Sequence, residues 1–287
     1  MGRRLHPLEG IVAICALFFV LALTVGFAQA GEPNIKKIHL RSASVLVQDA
    51  ESGEIVYDKN AEAIVPIASI TKLMTAIVTL DRKLDLEQPV VISRDDMDSL
   101  KGTRSRLRPG TTLTRNQLLM IALMASENRA AAALGRTYPG GTEAAVLAMN
   151  QKAAELGMTD SRFVDPTGLN PGNVSSARDL AKLVQAAHGY ELIREYTTRA
   201  NGTVVAMGRK VSYHNTNGLV RNHHWEIGLS KTGYISEAGR CLVMRVRMAS
   251  KDLIVVLLDS WGKQTRIGDA NRLRKWLESS APSGSNG

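Results

Sequence analysis

Period-two alternation is confined to the two ends of this chain, and helical periodicity fills the stretch between them. At the front, Arg41 to Tyr57 reads as a strand, a turn at Glu51–Ser52–Gly53–Glu54 and a second strand ending in Ile55–Val56–Tyr57. At the back, Ile227 to Tyr234, Arg240 to Met248 and Leu253 to Leu258 read as three more strands, with Asn271 to Leu277 as a closing helix. The pattern predicts one antiparallel sheet joined by both chain ends, with a helical cluster from the middle packed beside it, an α+β fold. A site in such a fold lies in the groove between sheet and helices, where a peptide can run along a strand edge.

In the middle, Ile70, Leu73, Met74 and Ile77 recur at helical spacing and predict a helix from about Ser69 to about Lys83. Pro66 fits an extended approach to it. Thr114 and Gln117 form a capping box for the next helix, whose Leu118, Leu119, Ile121, Ala122 and Met124 make it almost wholly apolar and therefore buried. Tyr138–Pro139–Gly140–Gly141 is a turn, Glu143 to Leu156 a further helix, and Ser176 with Asp179 caps another running through Val184. Between these two helices, Asp165 to Gly172 is an irregular loop. No internal repeat is present.

Residues 1–30 read as a secretory signal. Arg3 and Arg4 precede an apolar run, Ile11 to Val25, and Ala28–Gln29–Ala30 is a small-x-small cleavage site. The run falls short of the roughly 20 residues that span a bilayer, which favours cleavage over an uncleaved anchor. Cys15 lies inside the run and not just beyond it, which argues against lipid modification. Only Cys241 survives processing, so no intramolecular disulfide is available. Residues 31–278 are long enough for a single large domain with a substantial core, and the Ser/Gly-rich 279–287 reads as a disordered tail. No later apolar segment is long enough to span a membrane, so no stable anchor is expected after cleavage. The net charge of +9 suits either attraction to anionic polymers or plain solubility. No nucleic-acid partner is expected.

Chemistry concentrates at Ser69 and Lys72. Three apart on one helix face, with Cβ atoms roughly 5–6 Å apart, they pair a weak nucleophile with an amine that acts as a base once deprotonated. The first helical turn adds unpaired N–H groups and a positive dipole end, both suited to a developing oxyanion. That spacing alone carries little, because Ser260–Trp261–Gly262–Lys263 repeats it and either pair also reads as a surface Ser and Lys. Order separates them. Ser126–Glu127–Asn128 and then Lys231–Thr232–Gly233 follow the first pair, and neither pattern occurs elsewhere. Ser126 and Asn128, at the end of a buried helix, must find partners or line a cleft. From Lys101 to Arg115, five basic residues (Lys101, Arg104, Arg106, Arg108, Arg115) occur with no acid among them, and Pro109 and Gly110 mark the stretch as loop. It fits a grip on anionic polymer or an ordinary solvated loop. His188, His214, His223 and His224 match no zinc spacing and read as surface residues, and no metal or cofactor is expected.

The ordered trio SxxK, SxN and KTG resembles the active-site signature of penicillin-binding D,D-peptidases and serine β-lactamases. The texts Ala68–Ser69–Ile70–Thr71–Lys72–Leu73–Met74–Thr75–Ala76, Ser126–Glu127–Asn128–Arg129–Ala130–Ala131, Pro166–Thr167–Gly168–Leu169 and Ser175–Ser176–Ala177–Arg178–Asp179 extend the likeness. So do Leu229–Ser230–Lys231–Thr232–Gly233–Tyr234 and Ala238–Gly239–Arg240–Cys241–Leu242–Val243–Met244. From about Ile38 to Leu277 the chain is similar to low-molecular-mass penicillin-binding proteins, and among them to D-alanyl-D-alanine endopeptidases. The resemblance implies a β-lactamase-like fold and an exported, periplasmic serine peptidase. It also implies peptidoglycan stem peptides as substrate and β-lactams as covalent inhibitors.

The same resemblance implies Ser69 as the acylated nucleophile, Lys72 as its general base, Ser126 as proton relay to the departing amine and Asn128 as a partner of the substrate amide. Lys231 and Thr232 are implied to bind substrate carboxylate or carbonyl groups and to tune Lys72. Gly233 is implied to let the substrate backbone approach, and the N–H groups of Ser69 and Tyr234 to form the oxyanion hole. Typical carboxypeptidases of the family carry a further β-domain and an amphipathic C-terminal anchor, for which this chain is too short. Many also place an Arg before the Asn-Gly-Leu preceding the third motif, where this chain has Thr216 before Asn217–Gly218–Leu219. A weaker grip on a free carboxylate favours endopeptidase over carboxypeptidase. A class A β-lactamase needs a second base in an E-x-x-L-N loop; Asp165 stands one residue too far from Leu169–Asn170 and is the shorter acid. A non-catalytic wall-binding protein is the remaining reading, against which all the motif residues are intact.

Overall fold

The computed structural model describes residues 38–280, which all belong to one unit, Lys36–Gly287. The expected signal at 1–30 and residues 281–287 of the expected tail lie outside the described residues. The chain enters on β1 (Ser42–Asp49) and returns as β2 (Ile55–Lys59), the hairpin that the alternation predicts. Asp49 shapes the turn, its Oδ1 accepting from the N–H groups of Glu51 and Ser52.

Next, β3 (Val65–Pro66) leads into a tight 3-10 turn, Ala68–Ile70, and then α1 (Thr71–Asp81). The α-helix therefore begins later than its apolar spacing predicts, because Ala68 adopts a left-handed φ of 48° and winds the entry tightly. It also ends sooner, where Lys83 turns left-handed at φ 53° and donates its N–H to the Leu80 carbonyl. A short ladder not foreseen from the sequence, β4 (Pro89–Val91) with β5 (Thr112–Thr114), brackets the basic loop.

Helix α2 (Arg115–Met124) carries the predicted capping box. Gln117 N–H donates to Thr114 Oγ1 at 3.2 Å, and Thr114 N–H donates to Gln117 Oε1 at 3.0 Å. Arg115, assigned from sequence to the basic loop, is instead the first residue of α2 and only 1% exposed. Its guanidinium donates to Thr137 Oγ1 and Gln88 Oε1, which helps accommodate a buried cation that makes no direct ion pair. Then come α3 (Asn128–Arg136), α4 (Gly141–Glu155), β6 (Val174–Ser175), which pairs with β3, and α5 (Ala177–His188). Ser176 caps α5 as expected, accepting from Asp179 N–H at 3.2 Å.

The segment before the last strands holds two further elements that no local period in the sequence marks. These are α6 (Glu191–Thr198) and a hairpin of β7 (Asn201–Ala206) with β8 (Arg209–His214). The chain closes with β9 (Glu226–Ile235), β10 (Gly239–Met248), β11 (Lys251–Ser260) and α7 (Thr265–Ser280). The last helix outruns its prediction at both ends and takes in Ser279 and Ser280 from the expected tail.

The five-stranded sheet runs β2-β1-β11-β10-β9, every pair antiparallel, so both chain ends meet where β1 lies against β11. Successive residues point to opposite faces. Leu46, Val243, Ile254 and Val256 pack toward the helical cluster, while Val45, Val47, Leu242, Met244 and Leu257 pack toward Leu273 and Leu277 of α7. Covering both faces withdraws each of these side chains from water, worth about 1.5–3 kcal/mol apiece. Strand β9, bearing the third motif, is an edge strand of this sheet, and its Gly233 abuts the Ala68–Ile70 turn.

Candidate active site

The 3-10 turn sets Ser69 at the mouth of the groove, half-buried, and places Lys72 on the first turn of α1, 1% exposed. Lys72 Nζ lies 2.8 Å from Ser69 Oγ, 2.8 Å from Asn128 Oδ1 and 2.6 Å from the Thr167 carbonyl oxygen. Burial pushes the Lys72 ammonium down from 10.5 to about 7, although the Asp165 and Glu127 carboxylates pull the other way. The neutral amine has two N–H donors and one lone pair. Asn128 Oδ1 and Thr167 O can only accept, so they take both hydrogens, and the lone pair is left for the hydroxyl hydrogen of Ser69. This arrangement can deprotonate an attacking serine.

Asn128 cannot turn its amide around. Its Nδ2 donates to Thr103 Oγ1 at 3.0 Å, and Thr103 Oγ1 donates its own hydrogen to Asp98 Oδ2 at 2.7 Å. Asp98 thus fixes Thr103, Thr103 fixes Asn128, and Asn128 fixes Lys72. The resemblance implies that Asn128 meets the substrate amide; in the structure its Oδ1 also meets Lys72. Thr103 carries no signal in the sequence, because a threonine in a loop says nothing until its partner is known; Thr167 stands in the quoted Pro166–Leu169 text, but its role is that of a backbone carbonyl, which no side-chain pattern marks.

Ser126 occupies the turn between α2 and α3 at a left-handed φ of 58°, a costly conformation for a residue with a Cβ. Lys231 Nζ reaches it from β9, 2.9 Å from Ser126 Oγ and 3.0 Å from the Thr232 carbonyl. Lys231 is also 1% exposed; burial drives its ammonium well below its ordinary value, and Lys72 and Arg266 add repulsion. Thr232 Oγ1 lies 2.6 Å from Thr216 Oγ1, so the position that differs from many carboxypeptidases touches the third motif directly.

Gly233 has a structural reason to lack a side chain. A Cβ there would lie 2.9 Å from Ile67 O and 3.0 Å from Ser69 N, so the glycine lets β9 close on the nucleophile turn. On the opposite side Gly168, at φ +81°, is tighter still, with a Cβ falling 1.9 Å from Ala68 O. The peptide before Ser69 is thus pinched between two glycines. The ring of Tyr234 is 56% exposed under the Arg240 guanidinium, 4.4 Å from its centroid. This leaves the Tyr234 backbone as the part that can serve the site.

The competing pair is dismantled. Ser260 Oγ is buried at 2.7 Å from Ser42 Oγ in β1, and Lys263 is exposed. Asp165, weighed as a second base, is consumed by its own loop: its oxygens accept from Thr167 N, Thr167 Oγ1, Gly168 N, Asn170 N and Asn173 Nδ2. Among the described residues, no group of His, Cys, Asp and Glu is arranged to hold a metal ion.

A sequence model described as D-alanyl-D-alanine carboxypeptidase, the Peptidase S11 family, matches residues 29–262. The chain belongs to this family. It is therefore a hydrolase of the peptidase class. A D-alanyl-D-alanine endopeptidase of Pseudomonas aeruginosa is 44% identical over 275 residues, 93% of this chain and 88% of the relative. An Escherichia coli K12 protein of the same name is 42% identical over 260 residues, 90% of this chain and 82% of the relative. Among solved structures, the Streptomyces K15 DD-transpeptidase superposes with a TM-score of 0.78 at 26% identity, covering 85% of this chain and all of that one. The expected α+β, D,D-peptidase-like fold is the fold observed.

Proposed function

We propose that this chain is an exported serine endopeptidase that cuts D-alanyl peptide cross-links of peptidoglycan. The observation that carries the choice of bond is the Thr216–Thr232 pair. Where a carboxypeptidase places a cation to hold a free D-Ala carboxylate, this site offers two hydroxyls. A charged hydrogen bond made in the transition state is worth roughly 1.5–3 kcal/mol, about ten- to a hundredfold in rate, and Thr216 forgoes it. The two endopeptidases at 44% and 42% identity support the same reading.

In this mechanism neutral Lys72 takes the Ser69 proton as Oγ attacks the carbonyl of the cross-linked D-Ala. The N–H groups of Ser69 and Tyr234 receive the oxyanion. Ser126, held by Lys231, relays to the departing amine of the neighbouring stem the proton that Lys72 took, so that each group ends in its starting state, and Asn128 orients Lys72 and borders the substrate amide. Lys231 and Thr232 face the substrate's carboxylate or carbonyl groups from β9, an edge strand along which a peptide can lie. Water then hydrolyses the acyl-serine, and β-lactams stop at that stage. Residues 1–30 act as a cleaved export signal that delivers the enzyme to the periplasm, a reading supported by a family match beginning at residue 29. Residues 31–278 form one catalytic domain.

The test is a paired digest of cross-linked muropeptide dimers and monomeric pentapeptide, resolved by chromatography. Dimers are expected to disappear faster, and Thr216→Arg to raise D-Ala release relative to dimer cleavage by about tenfold. Pentapeptide consumed first, with dimers untouched, would refute the endopeptidase assignment.

A further inference from the structure

The basic loop singled out in the sequence has a place in the fold that the proposed mechanism does not use. A cavity of about 560 Å³ opens beside the catalytic groove, bordered by Ser126 and Asn128 on one side and by Arg104 and Arg106 on the other. It adjoins a second cavity of about 350 Å³, bordered by Arg106, Arg108 and Arg209 and by the Met207 turn of the β7–β8 hairpin. Arg106 is common to both, so a cationic groove leads away from the site. All four arginines are exposed, and among the described residues none of them is in an ion pair.

The acid in this groove is Glu127 in the inner cavity, 7% exposed and already accepting from Ser105 Oγ and Ala130 N–H. No acid borders the outer cavity. Arg106 is held in place, donating from Nη1 to the Ser212 carbonyl, with its guanidinium 4.0 Å from the centroid of the Tyr213 ring. An arginine already ordered loses little freedom on meeting an anion, and its planar fork matches a carboxylate.

Resting on the endopeptidase reading, we propose that this groove binds the free carboxylates of an acidic peptide arm of the cross-linked substrate, outside the reacting centre. Peptide stems bearing γ-linked glutamate carry such carboxylates. A stem whose scissile bond sits at Ser69 must pass the groove's mouth at Ser126 and Asn128. The arginines then select carboxylate-bearing stems over amidated ones and hold the substrate by charge at a distance from Ser69.

The experiment measures how well two synthetic dimers slow fluorescent penicillin labelling of the protein, one with free glutamyl carboxylates and one with the same carboxylates amidated. The free-acid dimer is expected to compete about tenfold better at low salt, an advantage that shrinks as ionic strength rises. Arg108→Gln with Arg209→Gln should bring that ratio toward one, and adding Arg106→Gln should complete the loss. Equal competition by the two dimers in the unsubstituted protein would overturn the proposal without any variant. Inorganic polyphosphate competing as strongly as the free-acid dimer would also overturn it, making the groove a dock for wall polyanion. Chromatography of the same samples separates the two ideas: dimers that compete by charge but remain uncut support the groove and refute the endopeptidase.

Discussion

The basicity of one amine governs the chemistry at the scale of single residues. Lys72 is brought to about 7 by burial, so the folded protein sheds a proton that the unfolded chain keeps up to its ordinary 10.5. Two consequences follow in opposite directions of pH. Acylation needs the neutral amine, so penicillin labelling rates should fall about tenfold per pH unit below an inflection near 7. Between about 7 and 10.5 the unfolded state binds the extra proton, so the penalty for burying Lys72 diminishes as pH rises. Lys72→Arg keeps a cation that does not lose its proton and should abolish labelling at every pH; labelling near the unsubstituted rate would remove Lys72 as the base. Ser69→Ala should likewise abolish labelling, whereas Ser260→Ala should retain it, because Ser260 is hydrogen-bonded to Ser42 and Lys263 stands exposed to water. Mass spectrometry of the penicilloyl adduct distinguishes the two serines.

Three elements converge on the nucleophile at the next scale: helix α1, the loop after α4 and the edge strand β9. On α1, Lys72 and Thr75 stand one turn apart and grip consecutive carbonyls of the loop, Thr167 at 2.6 Å and Pro166 at 2.7 Å. Gly168 comes next and lies so close to Ala68 that a methyl group has no room. Gly168→Ala therefore adds a left-handed alanine and a backbone clash, together at least about 2 kcal/mol. A lowered urea midpoint and at least tenfold slower labelling are expected, and unchanged values for both would show that the loop does not buttress Ser69. The sequence showed Gly168 only as part of a familiar text. Its reason is a contact between residues a hundred positions apart, which no local pattern encodes.

Over the whole molecule, the beginning and end of the described chain are tied by Asp269 on α7, fully buried. It accepts from Arg41 N–H at 3.0 Å, Ser42 N–H at 2.7 Å and Ser42 Oγ at 2.6 Å, and it pairs with Arg272. Burial alone would raise its carboxyl, but these bonds outweigh that and hold it below the usual carboxylate range. Its stabilising effect is thus fully present above the unfolded value of about 3.9 and is lost as pH falls through the lower folded value. Asp269→Asn should cost about 1.5–3 kcal/mol near pH 7, with the gap to the unsubstituted protein narrowing below pH 4. Urea titrations at the two pH values check it, and a gap that stays constant would show that the charge is not what matters.

What was legible in the sequence was whatever repeats locally or follows order along the chain. Alternation at both ends specified the sheet, 3.6-residue spacing the main helices, and the succession of Ser69, Ser126 and Lys231 motifs the catalytic set. The β7–β8 hairpin stayed hidden because its alternation is mixed with polar residues, and α6 because two turns are too short to establish a period, so packing against α2 and β9 decides them. The burial of Arg115, the hold of Thr103 on Asn128 and the commitment of Asp165 to its own loop were likewise settled by tertiary contact. Hydrogen-bond partners and desolvation are properties of neighbours in space, and the same side chain takes opposite roles according to which neighbours the fold supplies. Ser69 and Ser260 carry the same local text. Only the fold brings a buried lysine of lowered basicity to one and a buried hydroxyl to the other.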